Sequence, residues 1–194
     1  MSTIGKHGIT QTTPENILLG AGTFLKDLQW DSDGKKWTGT IIGATNGGGK
    51  VDITGEYLDL AVDGALVPFK GQTVKMGGKA TMETTMAEIS GDSIKMATNF
   101  KQGESDAEGY DLFVDKPYID EGDYTDNFGF VGKTANGKKD IIIIFESALC
   151  KSAFSLEPKN KEQGVIKLVM ECYAENAGDL DTLPVKIYYP STAA

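Results

Sequence analysis

The sequence predicts a mainly β chain, a β-sandwich or partly open barrel of six to eight strands with one short flanking α-helix. Two observations carry this expectation. From Trp37 onward apolar residues recur at every second position in segment after segment, and glycine-containing turns separate those segments. A third limits the helix content, because one stretch alone, SGDSIKMATNF, joins a capping residue to helical apolar spacing.

Taken in order, residues 1–22 are polar and glycine-dotted, with a single apolar cluster at Ile17, Leu18 and Leu19. They show neither period and read as an extended N-terminal arm. Residues 23–194 are expected to form one β-domain, as the chain length favours. After the Asp33-Gly34 turn, WTGTIIGAT reads as a strand; Asn46, Gly47, Gly48 and Gly49 break the chain, and VDITGEY resumes it. That pattern predicts a hairpin joined at the glycine run. In the resumed strand Val51, Ile53 and Tyr57 oppose Asp52, Thr54 and Glu56, and then Leu58, Leu60 and Val62 oppose Asp59 and Asp63. The slip of phase predicts a bulge within residues 55–58.

A further hairpin is expected in VPFKGQTVKM, after which Ala80, Met82, Thr84 and Met86 alternate against Thr81, Glu83, Thr85 and Ala87. In the helical stretch Ser90 or Asp92 caps the start, and Ile94, Ala97 and Thr98 fall on one side. Residues 103–126 hold nine acidic side chains against one lysine, Lys116, which predicts a solvated acidic loop with no strand assigned. NFGFVG and the run Ile141, Ile142, Ile143, Ile144 and Phe145 flank a turn at Gly137. The isoleucine run is apolar on both faces and predicts a central strand, with Lys138, Lys139, Asp140 and Glu146 as charged brackets. Ile166, Leu168, Met170 and Cys172 alternate with Lys167, Val169, Glu171 and Tyr173, and VKIYYP closes as an edge strand stopped by Pro190.

The chain carries a net charge of −9, and all 19 of its basic residues are lysine. Without arginine it lacks the planar fork that grips phosphates and guanine, so specific nucleic-acid binding is not expected. Cys150 and Cys172 form no CxxC pair and read as buried free thiols. His7 is the only histidine, and no G-x-S-x-G occurs, which removes triad chemistry. Residues 43–50 resemble a phosphate loop, but Val51 stands where Ser or Thr should follow, and a strand comes next. Neither DSDG at 31–34 nor Asp120, Glu121, Asp123 and Asp126 has calcium-loop spacing. No catalytic residue, metal or cofactor is expected. No apolar run reaches membrane length and the first residues lack an apolar h-region, so the chain is expected to stay in the cytoplasm where it is made.

Four pieces, ENILLGAGTFLKDLQW, IIGATNGGGKVDI, YLDLAVDGALVPFKGQTVKMGGKATMETTMAEIS and SALCKSAFSLEPKNKEQGVIKLVMECYAE, cover most of residues 15–176. In their order and spacing they resemble bacteriophage major tail proteins, the tail tube proteins, of the long non-contractile type. The resemblance implies two packed β-sheets with a flanking helix, six copies per ring, and stacked rings forming a channel for DNA delivery. It implies as partners other copies of the chain and the tape measure, tail terminator and tail tip proteins. DNA would pass without specific binding, and the location would be the virion tail, after synthesis in the host cytoplasm. Asp52, Glu56, Asp59, Asp63, Glu83 and Glu88 are then candidates for the lumen wall, with a solvated outer face as the alternative. Ile17, Leu18, Leu19, Asn46, Gly47, Gly48, Gly49 and Lys50 are candidates for ring-to-ring contacts. The rival expectation is a tail-associated or carbohydrate-binding β-sandwich using Tyr110, Phe113, Tyr118 and Tyr124.

Overall fold

The alternating segments become strands whose apolar positions are buried. The computed structural model describes residues 8–137, 139–158 and 160–191, so His7 and Lys138 lie outside the described residues. The element order is α1 (Thr13–Asn16), β1 (Thr23–Asp31), β2 (Lys36–Ile41), β3 (Thr45–Asp59), β4 (Thr73–Met86) and α2 (Gly91–Thr98). There follow β5 (Lys101–Gly103), β6 (Leu112–Val114), a 3-10 turn (Glu121–Asp123), β7 (Thr125–Lys133), β8 (Asp140–Cys150), β9 (Ile166–Cys172) and β10 (Val185–Tyr188). The chain is mainly β, as expected.

One antiparallel sheet of eight strands runs in the order β2-β1-β7-β8-β9-β4-β3, with β10 joined to β8. Strand β8 is its centre. Along one edge it pairs with β7; along the other, residues 142–145 pair with β10 and residues 148–150 with β9. Its isoleucine run serves both faces. Ile142 and Ile144 pack with Leu28, whereas Phe145 joins the main core with Phe24, Phe128, Met82 and Leu168. Phe24, Phe128 and Phe145 are at most 1% exposed, and burying each contributes about 1.5–3 kcal/mol.

The sheet rolls up without closing. β2 and β3 stand at opposite ends of the hydrogen-bonded order, yet only residues 42–44 separate them in the chain. The Ile42 N–H donates to the Phe24 carbonyl, and the Ala44 N–H donates to Glu88 Oε2 at 3.1 Å. The two ends therefore meet across the core, leaving both edges open.

That topology overturns the hairpin expected at the glycine run. Asn46, Gly47, Gly48 and Gly49 lie within β3, which pairs with β4 and not with β2. Gly47 and Gly48 adopt φ of 80° and 81°, and the register shifts between Thr45 and Gly49, so the glycines bend a strand instead of reversing it. The hairpin expected in VPFKGQTVKM is likewise corrected: residues 60–72 are the loop joining β3 to β4, and only its last residues are strand. The slip within residues 55–58 is a register shift between Glu56 and Tyr57, with Met76 as the extra residue on β4.

Helix α2 is set by its ends. The Ser93 N–H donates to Ser90 Oγ at 3.1 Å, and Asn99 ends the helix in the left-handed region, its side-chain amide donating to the Cys150 carbonyl. A second helix, the four-residue α1, stands in the segment read as an extended arm. The segment expected to be a loop without strands contains β6, paired with β5. Lys116 organises the rest, binding Asp120 and Asp123 at 2.6 Å each, and the Asp123 side chain is 2% exposed. Hydrogen bonds that the Lys116 ammonium donates to those two carboxylates raise it above its ordinary range. No helix among the described residues is long and apolar enough to cross a membrane.

Candidate functional site

The outer part of the β3–β4 hairpin has no strand beside it on β4's far edge. β9 pairs with β4 only along residues 81–86, so the ladder from Ile53↔Ala80 to Asp59↔Thr73 has no other strand on β4's free side. Beyond it the loop is closed by its own bonds, with the Leu60 N–H donating to the Gln72 carbonyl and Gln72 Nε2 donating back to Leu60. A two-stranded arm results, and its side chains are apolar where solvent would favour polar ones. Leu66 is 97% exposed and Val67 73%, and Tyr57, Leu58, Leu60, Val62, Phe69, Val74 and Met76 are exposed as well. Apolar exposure concentrated in this way marks a contact surface.

Beside the C-terminal half of α2, a groove of about 660 Å³ is lined by Ile94, Ala97, Thr98, Phe100, Phe113, Ser152 and Phe154. Its floor is apolar. The β5–β6 pair brings Phe113 over α2, and the segment after β8 brings Phe154, fixed by Ser152 Oγ donating to the Lys167 carbonyl.

No family model matches this chain, and no curated protein matches it.

The six acids assigned to the lumen wall fall in three places. Asp52, Glu56 and Glu83 share the outer face of β3 and β4, since Asp52 sits opposite Thr81, Glu56 opposite Gly77 and Glu83 opposite Lys50. Asp59 and Asp63 lie on the projecting arm, where Asp59 accepts from the Thr73 hydroxyl. Glu88 holds the connector at Ala44. The shared face is not uniformly acidic: Asp52 pairs with Lys50, Glu83 with Lys167 at 3.0 Å, and Glu171 with Lys79 at 3.0 Å and Lys151 at 3.6 Å. Burial alone would push the Glu171 carboxyl up, but Lys79 and Lys151 outweigh it and hold the group below the usual carboxylate range.

Of the residues assigned to ring contacts, Ile17, Leu18 and Leu19 are tied to the chain's own β7–β8 turn. Leu18 bridges Thr134, the Leu19 N–H donates to the Lys133 carbonyl, and the Ala135 N–H donates to the Ile17 carbonyl. About half or more of each side chain stays exposed. Asn46, Gly47, Gly48, Gly49 and Lys50 form the free-edge end of β3.

The four aromatics of the carbohydrate expectation are dispersed. Tyr110 and Tyr118 stand in solvent, Phe113 lines the groove over α2, and Tyr124 packs edge-on against Tyr173. Sequence reasoning missed the arm and the groove as a pair. The apolar run LAVDGALVPF was the signal for the first; the second needed the chain to fold before Phe113 and Phe154 could meet.

Proposed function

We propose that this chain is a structural subunit of a phage or prophage-derived tail tube, assembling through copies of itself into stacked hexameric rings. The observation that carries the reading is the β3–β4 arm, whose exposed apolar side chains call for cover from another subunit. The open edges of β2 and β3 support it, because unpaired edges invite strand addition and a closed ring of identical neighbours completes them. Six copies per ring, the tape measure, terminator and tip proteins as partners, and a place in the virion tail come from the resemblance.

A channel for DNA must not hold DNA. A chain with no arginine and net charge −9 meets that need, since its field repels phosphate. The outer β3–β4–β9 face, where Asp52, Glu83 and Glu171 each pair with a lysine, suits a wall that does not grip DNA. Residues 103–126, with nine acids against one lysine, hold most of the net charge.

Sedimentation velocity over a rising concentration series tests the proposal. The expected result is a hexamer-sized species followed by longer ones, with no saturable binding in a sugar panel. A strictly monomeric chain that binds a glycan would replace this reading with the carbohydrate one.

A further inference from the structure

The chain contains two Asn-Gly pairs, Asn46-Gly47 in β3 and Asn136-Gly137 in the turn between β7 and β8. Such a pair is prone to lose its side-chain amide, because glycine puts no side chain in the path of its own backbone nitrogen toward the asparagine Cγ. Sequence ranks the two pairs as equals, and both asparagines are exposed. Their hydrogen bonds separate them. In the turn the Gly137 N–H, the nitrogen that would attack, donates to the Thr134 carbonyl at 2.8 Å, and Asn136 Oδ1 accepts from the Thr134 hydroxyl at 2.9 Å. Thr134 is itself 3% exposed and also accepts from the Lys139 N–H, so nucleophile and electrophile are held to one buried anchor. Asn46 and Gly47 have no such anchor. The β3–β4 pairing passes from Thr45↔Met86 to Gly49↔Thr84, so neither residue has a partner across the ladder, and the Asn46 side chain makes no hydrogen bond among the described residues. A Cβ placed on Gly47 would meet nothing within 4 Å, which leaves this bulge room to turn.

We propose that Asn46 is a site of spontaneous deamidation in the folded chain, with water as the co-reactant, and that Asn136 is protected. The Gly47 nitrogen gives its proton to solvent and bonds to Asn46 Cγ; the bond from Cγ to the side-chain nitrogen breaks, and that nitrogen takes up a proton and leaves as ammonia. Water then opens the five-membered imide. Opening at Cγ leaves aspartate, whereas opening at the main-chain carbonyl leaves isoaspartate, whose backbone runs through Cγ and is longer by a carbon. Either product makes the chain, at −9, more negative by a full charge. The charge arrives in a hollow of about 260 Å³ lined also by Lys50, Glu83 and Lys167, where Lys50 is already paired with Asp52 and Lys167 with Glu83, so it is not cancelled. β3 is the last strand of the sheet, and charge on an edge strand hinders the addition of another. A chain that waits unassembled therefore loses its neutral edge with time. This effect on the edge rests on the assembly reading; the chemistry at Asn46 does not.

The full-length chain, kept dilute in mildly alkaline buffer, is sampled over weeks beside the same chain in denaturant. Digestion at lysine puts the two asparagines on different peptides, and mass spectrometry reads the conversion of amide to acid in each. The denatured chain gives the intrinsic rate of each pair. Divided by those rates, conversion in the folded chain should be at least tenfold faster at Asn46 than at Asn136. Gly47→Ala should slow Asn46 at least tenfold and leave Asn136 unchanged, because a methyl group then obstructs the attacking nitrogen. Equal rates in the folded chain, or a faster Asn136, overturn the proposal. So does a rate at Asn46 that Gly47→Ala leaves undiminished, since the imide would not be the route. Asn46→Asp installs the charge directly and should raise the concentration at which self-association begins; an unchanged onset removes the effect on the edge.

Discussion

Gly49 in β3 touches the ring of Phe24 in β1, so closely that a Cβ at Gly49 would lie 2.2 Å from Phe24 Cζ. These strands are five places apart along the sheet order, and their contact is what rolls an open sheet around one core. Phe24 in turn packs on Phe130 at 5.2 Å and Phe128 at 6.1 Å between ring centroids.

The first prediction concerns that contact. Gly49→Ala must displace a ring held in the core, and overpacking of this kind costs about 2 kcal/mol. The midpoint of thermal unfolding should drop by roughly 4–8 °C for a chain of this size. Gly47→Ala is the control: it meets open space and bears only the strain of φ at 80°, so its cost should be about 1 kcal/mol.

Where alternation is unbroken, the elements were legible from residues alone. Ala80, Met82, Thr84 and Met86 are all buried, as are Ile166, Leu168, Met170 and Cys172, and β8 is central because its isoleucines have two faces to fill. β1 was not legible. Asp27 adopts φ of 57° and the pairing with β2 shifts between Lys26 and Gln29, so the buried Phe24 and Leu28 are four residues apart and no period of two survives. The glycine run misled for a related reason: positive φ serves a bend within a strand as well as a reversal, and only the partner strand decides which. For the site, faces were readable but cover was not. Sequence alternation put Asp52 and Glu56 together, yet it could not show that β9 stops at residue 81 of β4 and leaves the arm bare.

Ser90→Ala should remove the cap of α2. Ser90 Oγ accepts from the Ser93 N–H, and the Ser90 N–H donates to Ser93 Oγ at 2.8 Å. Loss of the cap should cost about 1 kcal/mol, read from denaturant midpoints.

Glu171 gives an acid-side pH dependence. Its carboxyl is held below the ordinary value by Lys79 and Lys151, so it binds its proton more weakly folded than unfolded. The stability it contributes is present above the unfolded value of about 4.3 and is lost as pH falls from there through the folded one. Melting the parent beside Glu171→Gln from neutral pH downward should show the parent's advantage shrinking below pH ~4.3. A constant difference across that range would contradict it.

Cys172 should be inert to alkylation in the native state. Burial, with the Glu146 charge adding to it, pushes its thiol up to about 12, and the thiolate is the reactive species. Labelling at pH 8 should be slow when folded and fast in denaturant, as mass spectrometry of the modified peptide would show. Rapid native labelling would mean that the β9 end opens freely.

Negative-stain electron microscopy of the purified chain, concentrated stepwise, reaches the central claim most directly: that an apolar arm and open sheet edges are completed by identical neighbours. The account predicts rings and hollow cylinders of constant diameter that lengthen with concentration. Isolated particles of single-chain size at every concentration and salt condition would contradict it.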